Sequence, residues 1–289
     1  MNTNPDIHVP AGTSAHDRFT VDITPERAGW SWSGLKVVSL GPGESRTWST
    51  GADEALVLAL EGGCRVRVDE AHFEITGRLG VFQGISDFVY VPRAARLTIT
   101  SERGGRFAVP TARATADLPA SHYDASQVRT DLRGAGDCSR QVNNYALDNG
   151  VATSHLLVCE VLTPGGNWSS YPAHKHEEHS EVERELEEIY YFEVAAGPDG
   201  PGFAFHRTYG TPERPIDLFA EVGDGDVALV PHGWHGPCVA APGYDLYYLN
   251  VMAGPADDHT WLAVDDPHHH WIRSTWEAQD IDPRLPFTR

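Results

Sequence analysis

Gly223-Asp-Gly-Asp-Val-Ala-Leu-Val-Pro-His-Gly-Trp-His235 contains a turn, a short apolar strand, a second turn and a histidine within one stretch. Val227–Val230 is too short for a helix, and turn-forming Gly, Asp and Pro bound it on both sides, so it reads as a β-strand. The same grammar recurs on either side. Leu35–Leu40, Ala55–Leu60, Arg65–Val68, Phe88–Val91 and Leu97–Thr100 are short apolar or alternating runs in the first half. Ser154–Leu162, Glu188–Val194, Phe203–Tyr209, Asp226–Val230 and Asp245–Val251 are their counterparts in the second. The 28 glycines and 20 prolines are spread between these runs, and helix-length amphipathic patterns are scarce. The pattern predicts an all-β protein, sandwich or barrel.

The two series look like one plan used twice. Gly41-Pro-Gly-Glu44 precedes the early strands of the first half as Pro164-Gly-Gly-Asn167 does in the second. Ala55–Leu60 ends in Gly62-Gly63 as Ile189–Val194 ends in Gly197, and Val89-Tyr-Val-Pro92 matches Ala228-Leu-Val-Pro231. At 289 residues the chain holds two domains of ordinary size. The expected division is a first barrel over residues 1–115, a linker region over 116–145, where periodicity is weak, and a second barrel over 146–289. The acidic run Glu177–Glu187 is expected to be a solvated loop bulging from a barrel mouth.

Composition narrows the function classes. Hydrophobic residues make up 40% and charged residues 22%, enough for a real core. Lys and Arg number 22 against 41 Asp and Glu, a net charge of −19 that repels polyanions and argues against nucleic acid as a partner. A small anionic substrate remains open, provided a metal or a buried Arg supplies local positive charge. The four cysteines, Cys64, Cys138, Cys159 and Cys238, form no C-x-x-C pair, which suits a reducing compartment. No run reaches the ~18 apolar residues that span a bilayer, and residues 1–19 lack a basic stretch followed by an apolar one. The expected location is the cytoplasm, with no membrane partner.

The chemistry lies in the second half. His174 and His176 flank one residue, so on a strand both imidazoles project from the same face. A pair of surface histidines is the plainer alternative. Glu188 enters the apolar strand Glu188–Val194 on the face shared by Tyr190 and Phe192, where an inward carboxylate is costly unless a cation holds it. His235 follows the turn after Val227–Val230 and returns to the same barrel end. Three His and one Glu leave a divalent ion room for two further oxygens, which suits Zn, Mn, Fe or Ni. His155, His206 and His232 read as surface or internally satisfied histidines.

These residues resemble the cupins, jelly-roll barrels whose first motif joins Gly, H-x-H and Glu and whose second joins Gly, P-x-G and His. Gly166, His174, His176 and Glu188 match the first; Gly225, Pro231, Gly233 and His235 match the second. The gap between His176 and Glu188 is longer than in most cupins, which leaves Glu187 open as an alternative ligand, and Val239 stands where Asn is expected. Arg133-Gly-Ala-Gly136, Ser170–His176, Leu186–Tyr191, Gly202–Tyr209, Asp224–Pro231, Gly243–Pro255 and Asp266–Trp271 are, in order, similar to the 5-deoxy-glucuronate isomerases of inositol catabolism. That family also carries an extended segment between H-x-H and Glu.

The resemblance implies two tandem cupin barrels, the first without metal ligands because Thr47-Trp48-Ser49 stands where H-x-H would be. It also implies conversion of 5-deoxy-glucuronate, an aldose, into the ketose 5-dehydro-2-deoxy-gluconate. A metal chelated by the C1 carbonyl and C2 hydroxyl would stabilise an enediolate without a redox cofactor. Tyr190, Tyr248 and Glu187 are candidates for the base. Arg207 and Arg140 are candidates for the substrate carboxylate, with Tyr209 beside Arg207 if the face Phe203, Phe205, Arg207, Tyr209 looks inward. On pocket logic alone, a cupin dioxygenase and a non-catalytic sugar-binding or storage cupin stand beside the isomerase. The resemblance to cupin barrels, whose sheet edges are often covered by a neighbour, also implies a homo-oligomer.

Overall fold

The structure is a computed structural model that describes residues 7–287; the outermost residues of the two expected barrels lie outside the described residues. It is all-β, as the strand grammar predicts. A nine-stranded sheet curls into the N-terminal barrel, built around the long strand Asp53–Val68. The C-terminal barrel has two walls. One is a seven-stranded sheet in the order His8–Val9, Val227–Val230, Glu187–Val194, Leu246–Ala253, Leu157–Thr163, Arg140–Ala146, Arg129–Arg133. The other is a six-stranded sheet that holds Asp217–Val222, Ala204–Tyr209, Trp234–Ala240, His174–Lys175 and Val264–Asp265 in order, with Trp168–Ser169 beside Trp234–Ala240.

Strand alternation explains why several runs are apolar on both faces. In Ala55–Leu60, Ala55, Val57 and Ala59 fill the N-terminal barrel, whereas Leu56, Leu58 and Leu60 join a core that continues into the C-terminal half. The walls of the two barrels therefore pack back to back, and their shared strands are buried on both sides.

The stretch 116–145 is not a linker. Ser121–Tyr123 pairs with Phe88–Val91, while Arg129–Arg133 and Arg140–Ala146 extend the C-terminal sheet. Near the other end of the chain, His8–Val9 pairs with Val227–Val230, so residues assigned to the first barrel complete the second. The weak periodicity has a physical cause. Arg140–Ala146 is buried throughout, and its outward Gln141, Asn143 and Tyr145 face the other barrel rather than water.

That seam is polar and crossed by ion pairs. Arg78 makes a bidentate pair with Glu160 at 2.9 and 2.8 Å, fully buried, and Glu160 also accepts from Asn143 at 2.8 Å and Tyr145 at 3.1 Å. Arg106 pairs with Glu193 at 2.7 and 3.0 Å. Two further carboxylates cross the seam in opposite directions. Glu54 accepts the backbone N–H groups of Ser154, His155 and Leu156 at 2.6 to 2.8 Å. Glu187 accepts those of Ser31, Trp32 and Ser33 at 2.7 to 2.9 Å.

Candidate active site

His174 lies opposite His235 in the pairing of their strands, and His176 follows on the same face. The ligating nitrogens of His174, His176 and His235 all come within 4.8 Å of one another. Glu188 joins them from the facing wall: one carboxylate oxygen is 2.8 Å from Nε2 of His176 and 3.1 Å from Nε2 of His235. Of the four side chains that the sequence singles out, the three imidazoles thus form one cluster and Glu188 lies against two of them.

Their surroundings fix how each presents itself. Nδ1 of His176 faces the Leu186 carbonyl at 3.1 Å, and Nδ1 of His235 faces the Gly233 carbonyl at 3.0 Å. Each Nδ1–H therefore donates to the backbone, which turns the Nε2 lone pair toward Glu188, the second-sphere arrangement of metal-ligating histidines. Nε2 of His235 is buried and makes no well-formed hydrogen bond, despite its short distance to Glu188. An imidazole nitrogen aimed at a carboxylate without a proper hydrogen bond is what a shared cation would reconcile, and three neutral nitrogens with one carboxylate are a donor set for a divalent ion. Burial, reinforced by His235, holds the His174 imidazole well below its usual range and so neutral.

The acidic run is not simply solvated. Lys175, between the two histidines, points to the opposite face and is gripped by Glu183 at 3.0 and 3.1 Å and by Glu177 at 3.2 Å. Glu183 is buried and also accepts the backbone N–H of Glu177 at 2.7 Å; Glu177 accepts that of Gly233 at 3.0 Å. The loop thereby clamps His174–His176 to the turn that carries His235. Charge count alone concealed this, because two of the acids turn inward onto one lysine.

The cluster opens into a cavity of about 320 Å³. Glu188, Tyr190, Tyr248, Asn250 and Met252 line one wall, Val142, Cys159 and Val161 continue it, and Trp261 packs edge-on against His174 at 5.8 Å. Both predicted tyrosines are therefore in the site. Ser170 stands 3.0 Å from the Tyr248 hydroxyl and 3.4 Å from that of Tyr190. Burial raises both phenols, Tyr190 with help from the Glu188 charge, so they hold their protons at neutral pH.

Three expectations are corrected. Glu187 faces away from the cavity into the seam, because adjacent residues on a strand point to opposite sides; it is neither base nor ligand. Arg207 is exposed and stacks 4.2 Å over the Tyr209 ring, while the Tyr209 hydroxyl donates to Asp266 at 2.6 Å. The inward face of that strand is instead Ala204, His206 and Thr208. His206 is a satisfied core histidine, with Thr208 at 3.0 Å and the Cys238 sulfur at 3.3 Å. Arg140, by contrast, lines the cavity and is buried. Sequence reasoning missed Arg133, Asn250, Arg273 and Trp276 in the lining; the last two belong to the turn-like segment His270–Ala278, whose pattern carries no strand period.

Comparison with known proteins agrees with this architecture. Residues 7–272 match the KduI/IolB family. The chain is 41% identical over 255 residues to the 5-deoxy-glucuronate isomerase of Geobacillus thermodenitrificans, covering 87% of this chain and 90% of that protein. It is 36% identical to the 5-deoxy-glucuronate isomerase of Bacillus subtilis, covering 87% and 91%. A crystal structure of an IolB-like protein from Salmonella typhimurium superposes with a TM-score of 0.84 at 33% identity, over 92% of this chain and 98% of that one. Oxalate decarboxylase from Bacillus subtilis shares the two-barrel cupin fold alone, with a TM-score of 0.64 at 13% identity over 92% of this chain and 80% of that one. With the match running from the first described strand to the segment that closes the cavity, the chain belongs to the KduI/IolB family.

Proposed function

We infer that this protein is a 5-deoxy-glucuronate isomerase, interconverting the aldose and a ketose, with His174, His176, His235 and Glu188 holding one divalent ion. The observation that carries the reading is the cluster of three imidazoles, with Glu188 against two of them, beside a cavity lined by His174, Glu188 and a buried arginine, Arg140. Identities of 35 to 41% to isomerases of that name over most of the chain supply the substrate. When bound, the ion supplies a Lewis acid that polarises a carbonyl and stabilises negative charge developing on adjacent oxygens.

The chain's own residues do the rest. Second-sphere carbonyls of Leu186 and Gly233 keep His176 and His235 aimed at the ion. Val142, Val161, Met252 and Trp261 line the cavity with apolar surface and exclude water from the reacting carbons. Tyr190 and Tyr248, protonated and bridged by Ser170, donate hydrogen bonds to substrate oxygens and hold protons at their phenolic oxygens. Asn250 brings a buried amide Nδ2 with no hydrogen-bond partner among the described residues, a donor for a sugar hydroxyl.

Metal-replete protein incubated with 5-deoxy-glucuronate should convert its hemiacetal C1 signal into that of a ketose, followed by NMR, while an oxygen electrode stays flat. In D₂O, proton transfer between C2 and C1 places solvent deuterium in the product. Uptake of oxygen with the same substrate, or no conversion by protein shown to carry its ion, removes the isomerase reading.

A further inference from the structure

The reading of the site as an isomerase leaves unassigned a second chemical feature of the same cavity, its cationic end. Arg133 and Arg140 are directly opposite each other across two antiparallel strands, and both line the cavity. Like charges in such a pair destabilise a sheet unless something lies between or beside them. Arg133 is partly neutralised by Asp131 at 3.0 Å, and the third cavity arginine, Arg273, pairs with Asp265. Arg140 has no carboxylate partner among the described residues. It donates only to the Cys138 carbonyl at 3.1 Å, is 8% exposed, and its guanidinium lies 5.6 Å over the Trp276 ring. Burial pushes Arg140 down to about 10; Tyr248 pulls it up, and Arg273 and Arg133 push it further down.

An unpaired guanidinium buried beside two others is costly, and sheet twist or packing does not account for it. Register sets it apart from Glu188, which is level with Met252 and Leu157, whereas Arg140 lies beyond the Gln141–Leu162 pair, toward the other ends of the same strands. The indole N–H of Trp276 is buried with no oxygen acceptor, and the Cys138 sulfur offers it only a weak one. A guanidinium without a carboxylate and an indole N–H without an oxygen acceptor at one end of the cavity, with Glu188 at the other, define an elongated ligand with an anion at its tail.

We propose that Arg140, held by Trp276 of the C-terminal segment His270–Ala278, binds the carboxylate of the sugar acid and sets the preference for acids over neutral sugars. Arg140 is a substrate-binding residue in this account and Trp276 a positioning residue. The C-terminal segment is then part of the site, fastened there by the Gly136 N–H donating to the Asp280 carbonyl at 2.8 Å.

The test compares 5-deoxy-glucuronate with its neutral counterpart, in which a primary alcohol replaces the carboxylate. Arg140→Met should raise KM for the acid about 10- to 100-fold, the loss expected for charge-assisted hydrogen bonds. It should leave the neutral sugar within about twofold and the metal content unchanged, and Arg140→Lys should recover part of the loss. Trp276→Ala should raise KM for the acid with kcat kept, and Trp276→Phe should restore it. Undiminished preference for the acid in Arg140→Met, or an equal loss for both sugars, overturns the proposal while leaving the isomerase intact. Should wild-type protein turn over neither sugar, calorimetry with the acid decides separately. Binding that Arg140→Met abolishes keeps the carboxylate subsite and discards the isomerase; absence of binding discards both.

Discussion

Ala55 pairs with Val91 in the N-terminal barrel as Glu188 pairs with Val230 in the C-terminal barrel, and each stands one residue beyond a carboxylate that crosses the seam. By that register Glu54 corresponds to Glu187, and the captured N–H groups correspond as well. Ser33 and Leu156, the last of each trio, occupy equivalent places beside Ala112 and the Leu157–Met252 pair. Glu54 and Glu187 each reach into the opposite half, a reciprocal exchange of carboxylates. One residue further on, facing inward, the halves part: a methyl group in one, a buried carboxylate in the other. The histidines differ in the same way. Gly43 donates to the Ser101 carbonyl as Gly166 does to that of Ala240, so Ser49 opposite Arg96 stands where His174 opposes His235. Outward positions that hold the halves together are the same in kind, and inward positions carry the chemistry in one half alone.

Removing a member of the inward set breaks the comparison most severely. His235→Ala should take turnover of 5-deoxy-glucuronate to background, with circular dichroism unchanged, because His235 is one of the three clustered imidazoles and its loss leaves the barrel otherwise intact. Retained turnover would place the reaction elsewhere. Next is the seam. Glu160→Ala strands Arg78, fully buried, without its partner, and should lower unfolding free energy by about 3–5 kcal/mol, read from the urea midpoint. Glu54→Gln weakens the acceptor for three backbone N–H groups and should cost about 1–3 kcal/mol with metal content preserved. The smallest effect belongs to Arg207→Ala, which removes an exposed stack on Tyr209 worth about 0.5–1 kcal/mol and should leave KM within about twofold.

What could be seen in the sequence follows from these positions. The all-β plan was legible because turn residues bracket short apolar runs, and the clustering of His174, His176, Glu188 and His235 was legible because strand alternation puts them on inward faces. Alternation alone could not choose the inward face of Phe203–Tyr209. Aromatic residues on the odd positions suggested an interior, yet Phe203 and Phe219 lie partly exposed and the core takes the smaller Ala204, His206 and Thr208. Residues 116–145 looked like a linker because Ser121–Tyr123 and Arg129–Arg133 are short, largely exposed edge strands, and in Arg140–Ala146 a buried polar seam replaces the usual alternation of apolar and polar. Arg273 and Trp276 meet Arg140 only through packing between distant parts of the chain, a relation that local spacing does not encode.

The central claim is that adjacent acids on one strand serve different masters, Glu188 the ion and Glu187 the seam. Elemental analysis of purified wild-type protein, Glu188→Gln and Glu187→Gln, each after dialysis against a weak chelator, tests it directly. The expected result is about one divalent ion per chain in wild type and in Glu187→Gln, and a large loss in Glu188→Gln. Equal metal in all three proteins, or loss in Glu187→Gln with Glu188→Gln unaffected, would contradict it.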